Sequence, residues 1–204
     1  MARDLSVQIG ALTLKNPFLA ASGCFGYGLE YAGSVDIAAL GGVVTKGLFM
    51  KAREGHPPPR IVETPSGMIN AIGLQGIGVH RFVSEKLPEL RAHNATVIVN
   101  VCGTSVEEYA EVSRILSEAE GVHALELNIS CPNIKEGGIQ FGCSLPGTFQ
   151  VVSAIRKATT LPVIPKLTPN VTDVASFAKA SEDAGADAVS LVNTFLAMAI
   201  DVES

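Results

Sequence analysis

Asn128-Ile129-Ser130-Cys131-Pro132-Asn133 stands where an apolar run gives way to a loop, and Gly137-Gly138 and Phe141-Gly142 follow it. A glycine-bearing segment of this kind can close over a ligand. Two roles are open to Cys131: a thiol activated for proton abstraction with lysines on other strand ends, or a small half-buried cysteine packed under the loop. Cys24, Cys102 and Cys143 read as packing residues. Lys46 follows Val43-Val44-Thr45 and Lys166 follows Val163-Ile164-Pro165, so each ends an apolar run. An ammonium there suits an anionic ligand, an anionic cofactor ring or a Schiff base, the alternative being a solvated loop lysine. Asn70, Asn100, Asn128 and Asn193 repeat one theme, an amide at or near a strand end. Singly they suit turns; together they offer the donors and acceptors needed to read a planar ring with imide and carbonyl groups.

The remaining candidates carry less. His56, His80, His93 and His123 show neither metal spacing nor strand-end placement, so they read as surface or helix residues and no metal site is expected. Gly23-Cys24-Phe25-Gly26-Tyr27-Gly28 and Gly73-Leu74-Gln75-Gly76-Ile77-Gly78 lack the strand, helix and downstream acid of a dinucleotide fingerprint. They read as tight loops where backbone can approach a cofactor.

The elements that must position these groups alternate. Phe18 to Ala20, Gly42 to Thr45, Thr96 to Val101, Ala124 to Asn128, Pro162 to Leu167 and Ala188 to Val192 read as strands, with helical spacing between them. Thr104-Ser105 ahead of Glu107-Glu108, and Thr172-Asp173, mark helix starts, and Gly185 marks a helix end. Leu5 to Ile9 and Leu12 to Leu14 around Gly10-Ala11 predict a small hairpin ahead of the first of these strands. Apolar strands alternating with helices predict a parallel α/β fold, and polar residues gathered after the strands match the catalytic face of a TIM (β/α)8 barrel. Ser22, Lys46, Asn100, Asn128 with Cys131, Lys166 and Asn193-Thr194 are that gathering.

The chain of 204 residues carries 15 Lys+Arg against 20 Asp+Glu, a net charge of −5, which excludes the basic footprint of a nucleic-acid binder. With 47% hydrophobic and only 17% charged residues it is not disordered. The apolar stretch Ala188 to Ile200 is too short to span a bilayer, so no membrane association is expected. The four cysteines form no Cys-x-x-Cys pair and no secretory leader precedes them, which fits a reducing cytoplasm. A full barrel takes about 250 residues. The expectation is therefore one partial barrel domain over 1–204, holding the first six β/α units, with two unpaired sheet edges and uncovered apolar surface.

Specific motifs go further. Ala20-Ala21-Ser22-Gly23-Cys24-Phe25-Gly26, Asn70-Ala71-Ile72-Gly73-Leu74-Gln75, Leu127-Asn128-Ile129-Ser130-Cys131-Pro132-Asn133, Gly137-Gly138-Ile139-Gln140-Phe141-Gly142, Lys166-Leu167-Thr168-Pro169-Asn170-Val171 and Val192-Asn193-Thr194 resemble class 1B dihydroorotate dehydrogenase, in family order. The resemblance implies FMN across the barrel mouth and oxidation of dihydroorotate to orotate in pyrimidine (UMP) biosynthesis. It makes Cys131 the base for the C5 proton while the C6 hydride passes to the flavin; a serine there would resemble the membrane-associated class 2. It assigns Ser22, Lys46, Gly47, Asn100, Asn128, Lys166 and Val192 to FMN, and Lys46, Asn70, Ala71, Ile72, Gly73, Leu74, Asn128, Asn193 and Thr194 to the substrate. It also implies a homodimer of catalytic subunits and a partner subunit carrying FAD and a [2Fe–2S] cluster that passes electrons to NAD+.

The chain departs from the family pattern at Ala197, where glycine is usual, and at Cys143, where threonine is usual. The family's phosphate-holding loops after strands seven and eight have no counterpart in the sequence, so weak FMN binding by this chain alone, or none, is expected. Three alternatives stand beside this reading: a class 1A-type enzyme using fumarate, a Schiff-base aldolase built on Lys166, and a catalytically silent barrel fragment acting through its open edges.

Overall fold

The computed structural model describes residues 3–129 and 141–200. The chain begins with β1 (Val7–Ile9) and β2 (Leu12–Leu14), an antiparallel pair in which Val7 faces Leu14 and Ile9 faces Leu12. Its turn requires Gly10: φ is +53°, and a Cβ there would lie 2.5 Å from the Asp187 carboxylate. Next come β3 (Leu19–Ala20) and β4 (Gly42–Val44), then a separate antiparallel hairpin of β5 (Ile61–Thr64) and β6 (Gly67–Asn70). With β7 (Val97–Val101), β8 (Ala124–Asn128) and β9 (Val163–Lys166), the larger sheet is parallel throughout, in the order β3-β4-β7-β8-β9.

The sixth expected strand, Ala188 to Val192, is reduced to one bridge between Ser190 and Lys166. Its backbone still follows β9, since Ser190 N donates to Pro165 O at 2.9 Å and Asn193 N to Leu167 O at 2.9 Å. The ladder stops there because the preceding bond would have to come from Pro165, whose ring nitrogen has no hydrogen to donate. Strand β4 also stops short of the expected Thr45, because the next amide, Lys46 N, turns away to donate to Gly26 O at 2.7 Å.

The helices follow their start signals. A helical run over 79–92 consists of α1 (Val79–Arg81), a π-helical turn (Phe82–Lys86) and α2 (Leu87–Ala92); α3 (Val106–Glu118), α4 (Leu145–Ala158) and α5 (Val174–Asp183) come after. Ser105 caps α3 by accepting from Glu108 N at 3.2 Å, while Thr104 instead donates its hydroxyl to the Glu108 carboxylate at 2.6 Å. Asp173 caps α5, and beyond its end Gly185 takes φ +98°, the left-handed value that stops a helix.

Alternation along the parallel strands sends two sets of side chains apart. Val97, Val99, Val101, Leu125, Leu127 and Val163 are fully buried against the helices, in one cluster with Phe82, Leu90, Tyr109, Leu116 and Ile155. Each such side chain contributes about 1.5–3 kcal/mol. Val44, Ile98, Ala124 and Ile164 point the other way, into the curved inner face, where Ile9 and Leu12 of the first hairpin close the end at which the strands begin. This is part of a (β/α) barrel. Apolar side chains lie exposed at both sheet edges, with Phe18 beside β3 and Leu191, Phe195, Leu196, Met198 and Ile200 beyond β9. No helix among the described residues is long and apolar enough to cross a membrane.

Candidate active site

Two residues beyond each member of the inner apolar layer, towards the ends of the strands, the layer turns polar: Asn100 follows Ile98, Glu126 follows Ala124, and Lys166 follows Ile164. The ladder pairs Asn100 with Glu126 and, one inward position further along β8, Asn128 with Lys166, so these groups form two successive steps at the ends of the strands. Asn100 Nδ2 donates to Glu126 Oε1 at 2.6 Å, and the Lys166 ammonium lies 3.9 Å from the same oxygen while donating to Ser22 Oγ at 3.1 Å. Gly47 borders this group, for a Cβ there would sit 2.9 Å from Asn100 Oδ1 and 2.7 Å from Cys102 Sγ.

A cavity of about 340 Å³ adjoins Asn128. Asn70, Ala71, Ile72, Gly73, Leu74, Asn128, Asn193 and Thr194 line it, so it collects every expected substrate residue except Lys46. Asn128 is held at both ends: its carbonyl accepts from Tyr109 Oη at 2.6 Å and its Oδ1 from Asn193 Nδ2 at 2.8 Å. Thr194 N donates to Asn193 Oδ1 at 2.8 Å, which completes that amide's orientation.

The Asn70–Leu74 wall follows the exposed β5–β6 hairpin. Asn70 therefore ends a hairpin strand, a correction to its expected place beside the amides of the parallel sheet. The wall keeps its shape through Arg60, which donates to Gln75 Oε1 at 2.8 Å and whose carbonyl accepts from Ala71 N at 2.8 Å. At its far end Ile77 N donates to Tyr27 Oη at 3.2 Å; burial pushes that phenol up. Gly73 at φ +75° and Leu74 at φ +54° carry the left-handed backbone of the bend.

Other expected residues fall elsewhere. Cys131 lies outside the described residues. Lys46 is half-buried and its ammonium has no partner among the described residues, and Val192 is half-buried beyond Ser190; neither lines the cavity. Cys102 is buried, whereas Cys24, on a turn after β3, and Cys143, at the end of the 3-10 helix Phe141–Cys143, are exposed, a correction to their expected packing role. Cys143 lines the cavity. His123 is no surface residue either: its ring accepts from Val97 N at 3.0 Å, joining the start of β7 to the turn before β8.

Sequence reasoning missed Glu126, Thr168, Asn170 and Phe195. The last three line the cavity, and Asn170 ties it together by donating to Thr194 O at 3.0 Å and accepting from Leu196 N at 3.0 Å. Alternation from Lys166 would have placed Thr168 and Asn170 on the inner side, and a lone acid in Ala124-Leu125-Glu126-Leu127 was a visible signal.

Residues 4–204 match the family model of dihydroorotate dehydrogenase. The chain belongs to the dihydroorotate dehydrogenase family. Catalytic subunits of dihydroorotate dehydrogenase B (NAD(+)) are similar to it: that of Pelobacter propionicus is 54% identical over 204 residues, covering 100% of this chain and 67% of the relative. The counterparts from Geotalea uraniireducens and Bacteroides thetaiotaomicron are 52% and 51% identical over 200 residues, covering 98% of this chain and 66% of each relative. The chain thus spans about two thirds of the length of the curated relatives it matches. Membership in the dihydroorotate dehydrogenase family implies a flavin. Lys166, Asn100 and Ser22 fit one, since a fixed cation beside neutral hydrogen-bonding groups suits a planar imide ring that becomes negative on reduction. The Lys166 ammonium faces a carboxylate, unlike the apolar wall or second cation that activates an imine-forming lysine.

Proposed function

We propose that this chain oxidises dihydroorotate to orotate, as the catalytic subunit of a class 1B-type enzyme in pyrimidine biosynthesis. One observation carries the reading: Asn70, Asn128 and Asn193 line a single cavity, and Asn128 is the cross-strand neighbour of Lys166, which joins Ser22 and lies beside the Asn100–Glu126 pair. FMN, when bound, supplies the acceptor for the hydride leaving C6 of the substrate. Ser22, Gly47, Asn100, Lys166 and Val192 hold it, with Lys46 and Asn128 reaching both FMN and substrate. Asn70 to Leu74, Asn193 and Thr194 orient the planar substrate through its imide and carbonyl groups. Cys131 takes the C5 proton.

The printed names of the relatives include NAD(+) and the words catalytic subunit. That supports NAD+ over fumarate as the final acceptor and the existence of a partner subunit. The proposal further gives that partner FAD and a [2Fe–2S] cluster, and makes the catalytic subunit a homodimer in the cytoplasm.

The test is the visible spectrum of the purified chain with added FMN, before and after anaerobic dihydroorotate. Weak uptake of FMN, with bleaching of the bound flavin's band by substrate, is expected, and Cys131→Ala should abolish the bleaching. A chain that takes up no FMN, or holds it without bleaching, overturns the assignment for these 204 residues.

A further inference from the structure

Glu126 is only 5% exposed, in a strand otherwise apolar up to Asn128. A carboxylate so placed is costly unless its charge and lone pairs are answered. Here they are answered by two residues from the neighbouring strands, the Asn100 amide on β7 at 2.6 Å and the Lys166 ammonium on β9 at 3.9 Å. Parallel register makes this possible, because Asn100 is the direct cross-strand neighbour of Glu126 and Lys166 lies two residues past the other neighbour, Ile164.

We infer that Glu126 is a positioning residue: it turns the Asn100 amide, anchors the Lys166 ammonium, and partly balances that ammonium's charge beneath the flavin. This rests on the proposed function, because both tethered groups are there assigned to FMN. Glu126 lies one inward position below Asn128 on the same strand, so it backs the donor set from within the barrel. With the Asn100 Nδ2 hydrogens turned to Glu126, Asn100 Oδ1 is the atom that accepts from Cys102 Sγ at 3.6 Å. The carboxylate also moderates the cation: with both present, the layer is nearly neutral before reduction, and the pull of Lys166 on a negative ring is limited.

Glu126→Gln keeps an oxygen for Asn100 and removes the charge. In the FMN-loaded protein the two-electron equilibrium should then move towards the reduced form by about tenfold, about 30 mV. In the flavin-free protein, Lys166 should be acetylated severalfold faster by an activated acetyl ester, read peptide by peptide by mass spectrometry, because its counter-charge is gone. Equal Lys166 rates in Glu126→Gln and the parent overturn the inference, since a purely structural glutamate would alter stability alone. If the parent takes up no FMN, the proposed function fails, and the acetylation rates still decide the role of Glu126. If Glu126→Gln does not fold, adding Lys166→Met should restore folding by leaving no charge unanswered; a double variant no better than the single one overturns the pairing.

Discussion

Asn193 Nδ2 donates to Asn128 Oδ1 at 2.8 Å, linking two amides that are 65 residues apart in the chain. The bond leaves the Asn128 Nδ2 hydrogens to find another partner, and a planar substrate with carbonyl groups supplies one. Asn193→Ala frees the Asn128 amide to rotate and removes a donor, so orotate binding to the FMN-loaded protein should weaken by about 1–2 kcal/mol, roughly tenfold. Isothermal titration of the single and double alanine variants checks this. Because the two amides act as one unit, the double variant should lose less than the sum; strict additivity would show that they bind independently.

How legible this was depends on where each residue's partner comes from. Asn100, Asn128 and Lys166 could be read because a polar residue ending an apolar run in a parallel fold must lie at the mouth. Glu126 could not be assigned a role, since its partners Asn100 and Lys166 come from two other strands and only the register brings them together. The β5–β6 hairpin escaped for a different reason: Ile61, Val62 and Met68 are all exposed, so it has no buried face to impose alternation. Ala188 to Val192 read as a strand on composition, but composition does not reveal that the register sets it against Pro165, which has no N–H for the ladder.

Gly73→Ala tests the loop wall. At φ +75° a Cβ would lie 2.6 Å from His56 N, so alanine meets both a left-handed backbone and a rigid neighbour. The conformational part alone costs about 1–2 kcal/mol, and the wall must shift to relieve the clash. Orotate affinity should fall by about tenfold or more, while the thermal midpoint falls by only a few degrees, the shift that about 1–2 kcal/mol produces in a chain of this size. A variant that loses its thermal midpoint and keeps its affinity would contradict the placement of this loop in the site.

The cap of α5 gives an acid-limb prediction. The Ser176 hydroxyl and then the Ala175 amide hydrogen-bond the Asp173 carboxylate and hold it below its ordinary value of 3.8. A carboxyl lowered in the folded state adds stability above its unfolded value, and that part is lost as pH falls through the folded value. The melting temperature should therefore favour the parent over Asp173→Asn at pH 6, with the gap closing as the pH falls below 3.8 and through the lower folded-state value. A gap that is constant across this range would show that the carboxylate's charge contributes nothing to the cap.

Thiol labelling separates the cysteines by position. Cys102 is 1% exposed, whereas Cys24 and Cys143 reach solvent, so iodoacetamide should modify the latter two in the folded protein and Cys102 only after unfolding. Cys24 and Cys143 then differ in one respect: Cys143 lines the cavity with Asn128 and Asn193, and Cys24 does not. Orotate bound there covers the Cys143 thiol and leaves Cys24 untouched. Peptide-resolved mass spectrometry of FMN-loaded protein should show Cys143 labelling slowed severalfold by saturating orotate, with the Cys24 rate as the internal control. Because each cysteine is read on its own peptide, reaction at Cys131 does not enter the comparison. Unchanged Cys143 labelling under saturation would place orotate outside this cavity, and with it the substrate roles of the three asparagines would fall.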